Sequence, residues 1–574
     1  MDSNSNFQKI APIGIEDFSE MQLNWYYYVD KTLFIKELLD TLAKVNVFLR
    51  PRRFGKTLTL SMLKYFFEDT GDGERNAANR ELFCGTRIMR EDSRYTARMT
   101  SAPVLSLTLK SAKQPTLSAA MFELKNAIAF EFNRHSALVE NALNDSELKK
   151  YKFLSSASAL FPGDVEWWNT SLRFLCDCLY KATDKRTIIL IDEYDVPLEN
   201  AYFCGFYNEL IGFLRSLFES SLKTNPCLEF AVITGFLRVS RESLFTGMNN
   251  LRMVTVLHNT FGEYFGFTQA EVDDILEYYK LQKRRGDMRD WYNGYTIGGA
   301  DVYNPWSVVC TLDYLRGNAN DTMKPHWVNT SSNEIVRILV NNADENARYE
   351  IESLIEGDTI EKPVREDLTY DQMLESGDNL WNFMYFTGYL TRAGDTRLVE
   401  EQNMLPMRIP NIEVRYVYKN VIRTWFEKQL ESRELEPLYR AILDGDAPAA
   451  ANMLKIELLD TISFYDYKES FYHGFLAGLL RKLKGYVAKS NRESGDGRPN
   501  IVLFPRSMTN VVVIIEIKVA KTLSELDGAC EEALRQIEER RYEAGPRSEG
   551  YSKFMHYGVA FYKKEAAARC HRFD

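Results

Sequence analysis

The stretch Val45-Asn46-Val47-Phe48-Leu49-Arg50-Pro51-Arg52-Arg53-Phe54-Gly55-Lys56-Thr57-Leu58 constrains this chain more than any other. An apolar run leads into a turn bearing Pro and Arg, and Gly-Lys-Thr then opens an amphipathic helix. The layout predicts a strand, a tight turn and a helix whose first N–H groups face an anion. In such a loop backbone amides cradle phosphate, the Lys reaches the outer phosphate oxygens and the Thr hydroxyl holds Mg²⁺. The usual pattern has Gly five residues before Gly55, where this chain has Arg50. Taken alone, the motif is equally that of a basic turn opening a surface helix.

A second segment tips the balance. Thr187-Ile188-Ile189-Leu190-Ile191-Asp192-Glu193 is a β-branched run ending in two acids. A continuous apolar run of this length reads as a buried parallel strand. Acids at its C-terminal end stand where α/β folds gather their ligands. Asp192 is the candidate metal-side acid and Glu193 the candidate base for water attack. A Gly-Lys-Thr followed about 130 residues later by such a strand is a rare coincidence, so a nucleotide with Mg²⁺ is the expected ligand. Arg53, Phe54, Gly55, Lys56, Thr57 and Leu58 are the loop residues expected around the nucleotide, and Thr57 and Asp192 the metal-side pair.

The chain has 574 residues, and length alone suggests roughly three or four domains. With 45% hydrophobic and 26% charged residues it can bury large cores. A net charge of −10 disfavours a broadly basic nucleic-acid coat, while leaving room for a local basic groove. Eight scattered Cys and six His form no zinc-type spacing, which suits free thiols in a reducing compartment. Met1 to Lys9 is polar, and no apolar run reaches membrane-spanning length. The expectation is a cytoplasmic protein with no membrane association.

Residues 1–270 alternate strands and helices, which argues for a parallel sheet wrapped by helices. A strand over Leu228 to Thr234 ends in Thr234-Gly235, where a polar side chain can sense the terminal phosphate. Arg238 and Arg241 behind it are further candidate sensors, or else solvated helix arginines. Residues 271–445 read as mainly helical. Between their helices lie aromatic turns: Trp291 to Tyr295, Tyr303 to Trp306, and His326 to Thr330. Such clusters staple loops onto a core, or stack bases.

Residues 446–574 form a third segment with the expected order helix, three strands, helix, strand. Glu516 and Lys518 are two apart on an apolar strand and so share a face. Charges inside such a strand need a partner or a metal ion. A carboxylate there holds Mg²⁺, or Mn²⁺, and the Lys stabilises developing phosphate charge. The reinforcing acid should precede Ile501, where this chain has Asn500, so metal affinity should fall. Glu469, Glu493 and Asp496 are the acids placed to compensate. Lys489, Arg492, Arg498, Lys518 and Lys521 are candidate phosphate contacts.

These motifs resemble a known pair of families. FLRPRRFGKTLTLSML from Phe48, LIDEYDVPL from Leu190, ITGFLRVSRESLFTGMNN from Ile233, WYNGY from Trp291 and VYNPWSV from Val302 resemble the AAA-ATPase-like family. ESFYHGFLAGLL from Glu469, SNRESGDGRPN from Ser490, VIIEIKV from Val513 and ALRQIEERRY from Ala533 resemble the PD-(D/E)xK nuclease domain that commonly follows it. The resemblance implies an α/β P-loop NTPase sheet, a helical middle and a C-terminal αβββαβ restriction-endonuclease-like domain. It implies an ATPase coupled to a metal-dependent nuclease, with nucleic acid as partner, DNA in preference to RNA, and a homo-oligomer as the working form. It assigns phosphate binding to Lys56, Mg²⁺ to Thr57 and Asp192, and catalysis to Glu193. In the last domain it assigns catalysis to Glu516, Lys518 and Gln536, with Tyr542 on the same helix. Asn500 stands where the family pattern has Asp, so the nuclease is either silenced there or the domain is a binding switch driven by the ATPase.

Overall fold

The computed structural model describes residues 8–41, 43–156, 165–237, 244–245, 248–327, 336–338, 345–366, 372, 376–399, 401–421, 435–459, 469–481, 483–490, 497 and 499–573. Arg238, Arg241, Arg492, Glu493, Asp496, Arg498 and residues 328–330 lie outside them. The chain divides into two compact units, one of Met1–Ile335 with Thr359–Tyr416, the other of Val336–Asp358 with Val417–Asp574.

The first unit is built on a parallel sheet of five strands in the order β2-β3-β4-β1-β5. These are β1 (Val45–Leu49), β2 (Val104–Thr108), β3 (Thr187–Asp192), β4 (Leu228–Gly235) and β5 (Leu251–Val254). Every residue of β1 and β3 is buried, as their largely apolar runs require, and the Asn46 amide within β1 donates to the Ala43 carbonyl. The register pairs Leu49 with Gly235, Ile191 with Ile233 and Thr108 with Asp192, so the C-terminal ends of four strands make one rim. β4 lies between β1 and β3. Its tip, Thr234-Gly235, therefore separates the loop after β1 from the acids after β3.

That loop passes into the helix Lys56–Phe67 through Gly55, whose φ of +79° is the left-handed region open to Gly at little cost. Leu60, Leu63, Phe66 and Phe67 put the helix's apolar stripe into the core. The short strand β5 was not expected from the sequence. It carries Arg252 and is only partly buried, which removes the apolar signal of its neighbours.

The middle of the chain is mainly helical. The helix Gln269–Tyr278 starts on a Thr268–Glu271 capping box, and Pro305–Gly317 on an Asn304 cap with Pro at its first position. Val272, Ile275, Tyr292, Tyr303, Val308 and Leu312 form a common core. Among the aromatic turns, Tyr292, Tyr303 and Trp327 are buried, so these three serve packing and not base stacking. Not expected from the sequence are a hairpin of β6 (Tyr295–Ile297) with β7 (Ala300–Val302) and a small antiparallel sheet of β8 (Ile360–Pro363), β9 (Thr391–Arg392), β10 (Arg397–Val399) and β11 (Gln402–Arg408).

The second unit holds a mixed sheet in sequential order, β12 (Tyr486–Ser490), β13 (Ile501–Pro505), β14 (Val512–Val519), β15 (Phe554–Tyr562) and β16 (Glu565–Phe573). Only β14 and β15 are parallel. The αβββαβ expectation stands, with β16 added as a fifth strand hairpinned onto β15. Val512 and Ile514 pack with Leu534 and Ile537 of the helix Leu526–Glu539, while Val513, Ile515 and Ile517 pack with Phe475, Leu476 and Leu479 of the helix Glu469–Leu480. Gly558 lets the first helix approach: a Cβ there would lie 2.2 Å from the carbonyl oxygen of Cys530. Among the described residues no helix is long and apolar enough to cross a membrane.

Candidate functional sites

The loop after β1 opens on a cavity of about 500 Å³. Arg52, Arg53, Phe54, Gly55, Lys56, Thr57, Leu58 and Glu193 all line it, together with Tyr28 and Trp306. Lys56 is buried, and its ammonium donates to the carbonyl oxygens of Arg50 at 3.0 Å and Pro51 at 2.9 Å. Burial lowers its pKa, against the opposing pull of Glu193 and Asp192. Phe54 is buried edge-on against Tyr295, which anchors the loop to the β6–β7 hairpin.

Asp192 joins the two sides of the site. One carboxylate oxygen accepts from the Thr57 hydroxyl at 2.6 Å, and the other from the Thr234 hydroxyl. The structure thus brings together Lys56, Thr57, Asp192, Glu193 and Thr234. Arg238 lies outside the described residues. Glu193 adopts φ +52°, a costly backbone state for a non-Gly residue, and burial raises its pKa. The Thr57 hydroxyl and the Asp192 carboxylate are hard oxygen donors side by side, a set that fits Mg²⁺.

Three buried groups around this site were given no role from sequence. Arg50, in place of the usual Gly, turns away from the cavity and donates to the carbonyls of Leu49 and Val254, both at 2.9 Å. Its loss of solvent pushes the guanidinium down to about 9. Asp195 accepts the N–H groups of Phe236 and Leu237 at 2.7 and 2.8 Å, tying the acidic turn to the end of β4; burial pushes its carboxyl up to about 7. Its signal was the third acid in the run Asp192-Glu193-Tyr194-Asp195. Glu413 accepts the N–H groups of His326 and Trp327 at 2.6 and 2.9 Å and the Ser307 hydroxyl at 2.7 Å. Burial pushes it, too, up to about 7. No local pattern marks Glu413, because its partners are about a hundred residues away.

In the second unit, Glu469, Asn500, Glu516, Lys518, Gln536 and Tyr542 form one hydrogen-bonded group. Glu516 and Lys518 share a face as their spacing requires, and the Gln536 carboxamide bridges them. Its N–H donates to Glu516 and its oxygen accepts from Lys518 at 2.6 Å. A second Gln536 N–H contact reaches the Tyr542 hydroxyl at 3.2 Å. Glu516 is buried, which pushes its carboxyl up to about 7 although the Asn500 N–H and Lys518 pull it down.

Asn500 uses both ends of its carboxamide. Its oxygen accepts from the Ile517 N–H at 2.8 Å, and its nitrogen donates to Glu469 at 3.2 Å. His473, one turn after Glu469 and not picked out from sequence, lies 2.9 Å from the Asn500 carbonyl oxygen. A divalent ion seeks oxygens where Asn500 presents an N–H. Among the described residues no group of three or more His, Cys, Asp or Glu could hold a metal ion. Glu469 and Glu516 supply carboxylates, and the set is one carboxylate short. Lys489 lies over the Phe504 ring and Lys521 is exposed, while Arg492 and Arg498 fall outside the described residues.

Residues 12–245 match the family model described as a predicted AAA-ATPase, and residues 467–570 that of the PD-(D/E)XK nuclease superfamily. The chain is also similar to an uncharacterized protein in the vnfD 5' region of Azotobacter chroococcum mcd 1. The two are 25% identical over 490 residues, which is 84% of this chain and 81% of that one.

Proposed function

We propose, for a chain that carries an AAA-ATPase-like domain followed by a PD-(D/E)XK nuclease superfamily domain, that the first binds and hydrolyses ATP and controls a nucleic-acid site on the second. The observation that carries this reading is the Thr57–Asp192 contact at 2.6 Å, beside the cavity that Lys56 and Glu193 also line. Mg²⁺, when bound there, neutralises phosphate charge. The chain's own groups do the rest. Loop amides orient the phosphates, and Lys56 exchanges two loop carbonyls for phosphate oxygen. Glu193 orients the attacking water and takes its proton, a role that a carboxylate of raised pKa suits. Thr234, bonded to Asp192 between loop and acid, is placed to register the terminal phosphate.

In the second domain we assign phosphodiester recognition to the face bearing Glu516, Lys518 and Gln536, with Lys489 and Lys521 as phosphate contacts. Asn500 curtails metal binding, Mg²⁺ or Mn²⁺, by replacing a carboxylate with an amide. We take the partner to be nucleic acid, DNA in preference to RNA, and the working form to be a homo-oligomer in the cytoplasm. We also keep 1–270, 271–445 and 446–574 as the domain organisation.

A second reading has its own support. The Asn500 amide already satisfies Glu469 and the Ile517 N–H without any ion. The second domain is then a binding module switched by the ATPase. One experiment separates the readings: hydrolysis of ATP, and cleavage of labelled DNA and RNA with Mg²⁺ or Mn²⁺, for the natural chain, Lys56→Ala and Asn500→Asp. Hydrolysis lost in Lys56→Ala, with cleavage by Asn500→Asp alone, supports the first reading. Hydrolysis without cleavage by any form supports the second, and hydrolysis retained in Lys56→Ala overturns the nucleotide site.

A further inference from the structure

The loop after β1 carries three arginines, and the fold gives each a different setting. Arg50 is buried among backbone carbonyls. Arg53 donates to the His326 carbonyl at 3.1 Å and lies over the Trp306 ring at 4.6 Å. Arg52 pairs with the carboxylate of Glu199 and lies over the Phe236 ring at 4.5 Å. Its side chain keeps 20% of its surface exposed and lines the same cavity as Lys56, Thr57 and Glu193.

The Glu199 and Phe236 contacts tie Arg52 to two elements that frame the candidate site. Glu199 stands on the helix Val196–Cys204, which begins directly after the acidic turn. Phe236 follows the last residue of β4 and is held by Asp195. The guanidinium is therefore poised where the loop, the acidic turn and the end of β4 meet. Arg52 and Lys56 are like charges on the same cavity and repel each other, and Glu199 offsets the excess. A triphosphate brings more negative charge and a bidentate match to the guanidinium fork.

We propose that Arg52 is a catalytic residue of this site, an arginine supplied from within the chain that leaves Glu199 for the terminal phosphate and neutralises charge during its transfer. The inference rests on the ATP hydrolysis proposed above. In that step the water oxygen bonds to the terminal phosphorus, and the bond from phosphorus to the bridging oxygen breaks. The electron pair leaves on ADP, and the water proton passes to Glu193. Arg52 forms no covalent bond and contributes N–H donors and charge. Hydrolysis then needs no arginine from a neighbouring subunit, so the homo-oligomer proposed above serves the nucleic-acid site and not ATP turnover.

The test uses the full chain as Arg52→Ala and Arg52→Lys. MgATP hydrolysis is followed over a range of protein concentrations, and a fluorescent ADP is titrated with and without aluminium fluoride. Turnover is expected to fall at least about 100-fold in both variants, with ADP affinity within about threefold. Aluminium fluoride should tighten ADP binding in the natural chain and not in either variant. Turnover per natural chain should not change on dilution. Three results overturn the proposal: near-natural turnover in Arg52→Ala, turnover per chain that falls on dilution, or rescue of Arg52→Ala by added Lys56→Ala chains. A natural chain without turnover overturns the hydrolysis reading itself. If Arg52→Ala loses its fold, Glu199→Gln tests the same exchange, since freeing Arg52 should tighten ADP–aluminium fluoride. An unchanged affinity there also overturns the proposal.

Discussion

Thr57 donates its hydroxyl to Asp192 at 2.6 Å across 135 residues of sequence. The second Asp192 oxygen is held by Thr234, so the carboxylate is oriented before any ligand arrives. Preorganised donors and acceptors of this kind cost little reorganisation during reaction.

Asp192→Asn keeps the shape and removes the charge. Affinity for a fluorescent ATP should fall roughly tenfold or more in Mg²⁺ and change little in EDTA. Equal losses in both buffers would argue against a metal-side role.

Glu193→Gln should bind nucleotide within about threefold of the natural chain while turnover falls roughly 100-fold or more. Single-turnover assays beside equilibrium titrations separate the two effects. A variant that hydrolyses normally removes Glu193 from the base position.

Glu413 makes stability depend on pH. Its carboxyl stands near 7 in the fold against an ordinary 4.5. Between those values the native state holds a proton that the unfolded chain releases, so stability falls as pH rises through the window. The slope is at most about 1.4 kcal/mol per pH unit. Glu413→Gln keeps an oxygen for the His326 and Trp327 N–H groups and removes the titration. Its melting temperature should gain on the natural chain from pH 5 to pH 8, and parallel curves would contradict the assignment.

Asn500→Asp brings a third carboxylate beside Glu469 and Glu516. Without metal it should melt lower than the natural chain, because like charges converge at a partly buried site. Mn²⁺ should raise its melting temperature more than that of the natural chain. Equal responses to Mn²⁺ would mean that residue 500 does not set metal affinity.

Gly558→Ala should destabilise the second unit by about 1–3 kcal/mol or more. The new Cβ meets the Cys530 carbonyl, which belongs to helix backbone and has little freedom to yield. Denaturant unfolding measures the loss, and a neutral variant would show that the helix can shift.

The strands β1 and β3, the helix Lys56–Phe67 and the order of elements around Glu516 were legible because each rests on a local pattern. Such patterns are an unbroken β-branched run, a Gly-Lys-Thr turn, or a period of two. β16 was not legible: Glu565-Ala566-Ala567-Ala568-Arg569 is made of good helix formers, and only pairing with β15 makes it a strand. Glu413 was hidden because a buried acid with distant partners is identified by what surrounds it, whereas Asp195 was signalled by the acidic run that contains it.

By itself, then, the sequence determined the two sites' raw materials: the loop Arg50–Thr57, the acids Asp192 and Glu193, the pair Glu516 and Lys518, and the substitution at Asn500. Tertiary structure decided their relations. The insertion of β4 between β1 and β3 brought Thr234 onto Asp192, and packing sorted the three loop arginines into a buried strut, an ion pair on the cavity and a tie to His326. Pairing of β13 with β14 brought the Asn500 amide between Glu469 and Ile517. Local pattern fixes which residues can make an element, but contacts across a hundred residues arise only when those elements close on a shared core.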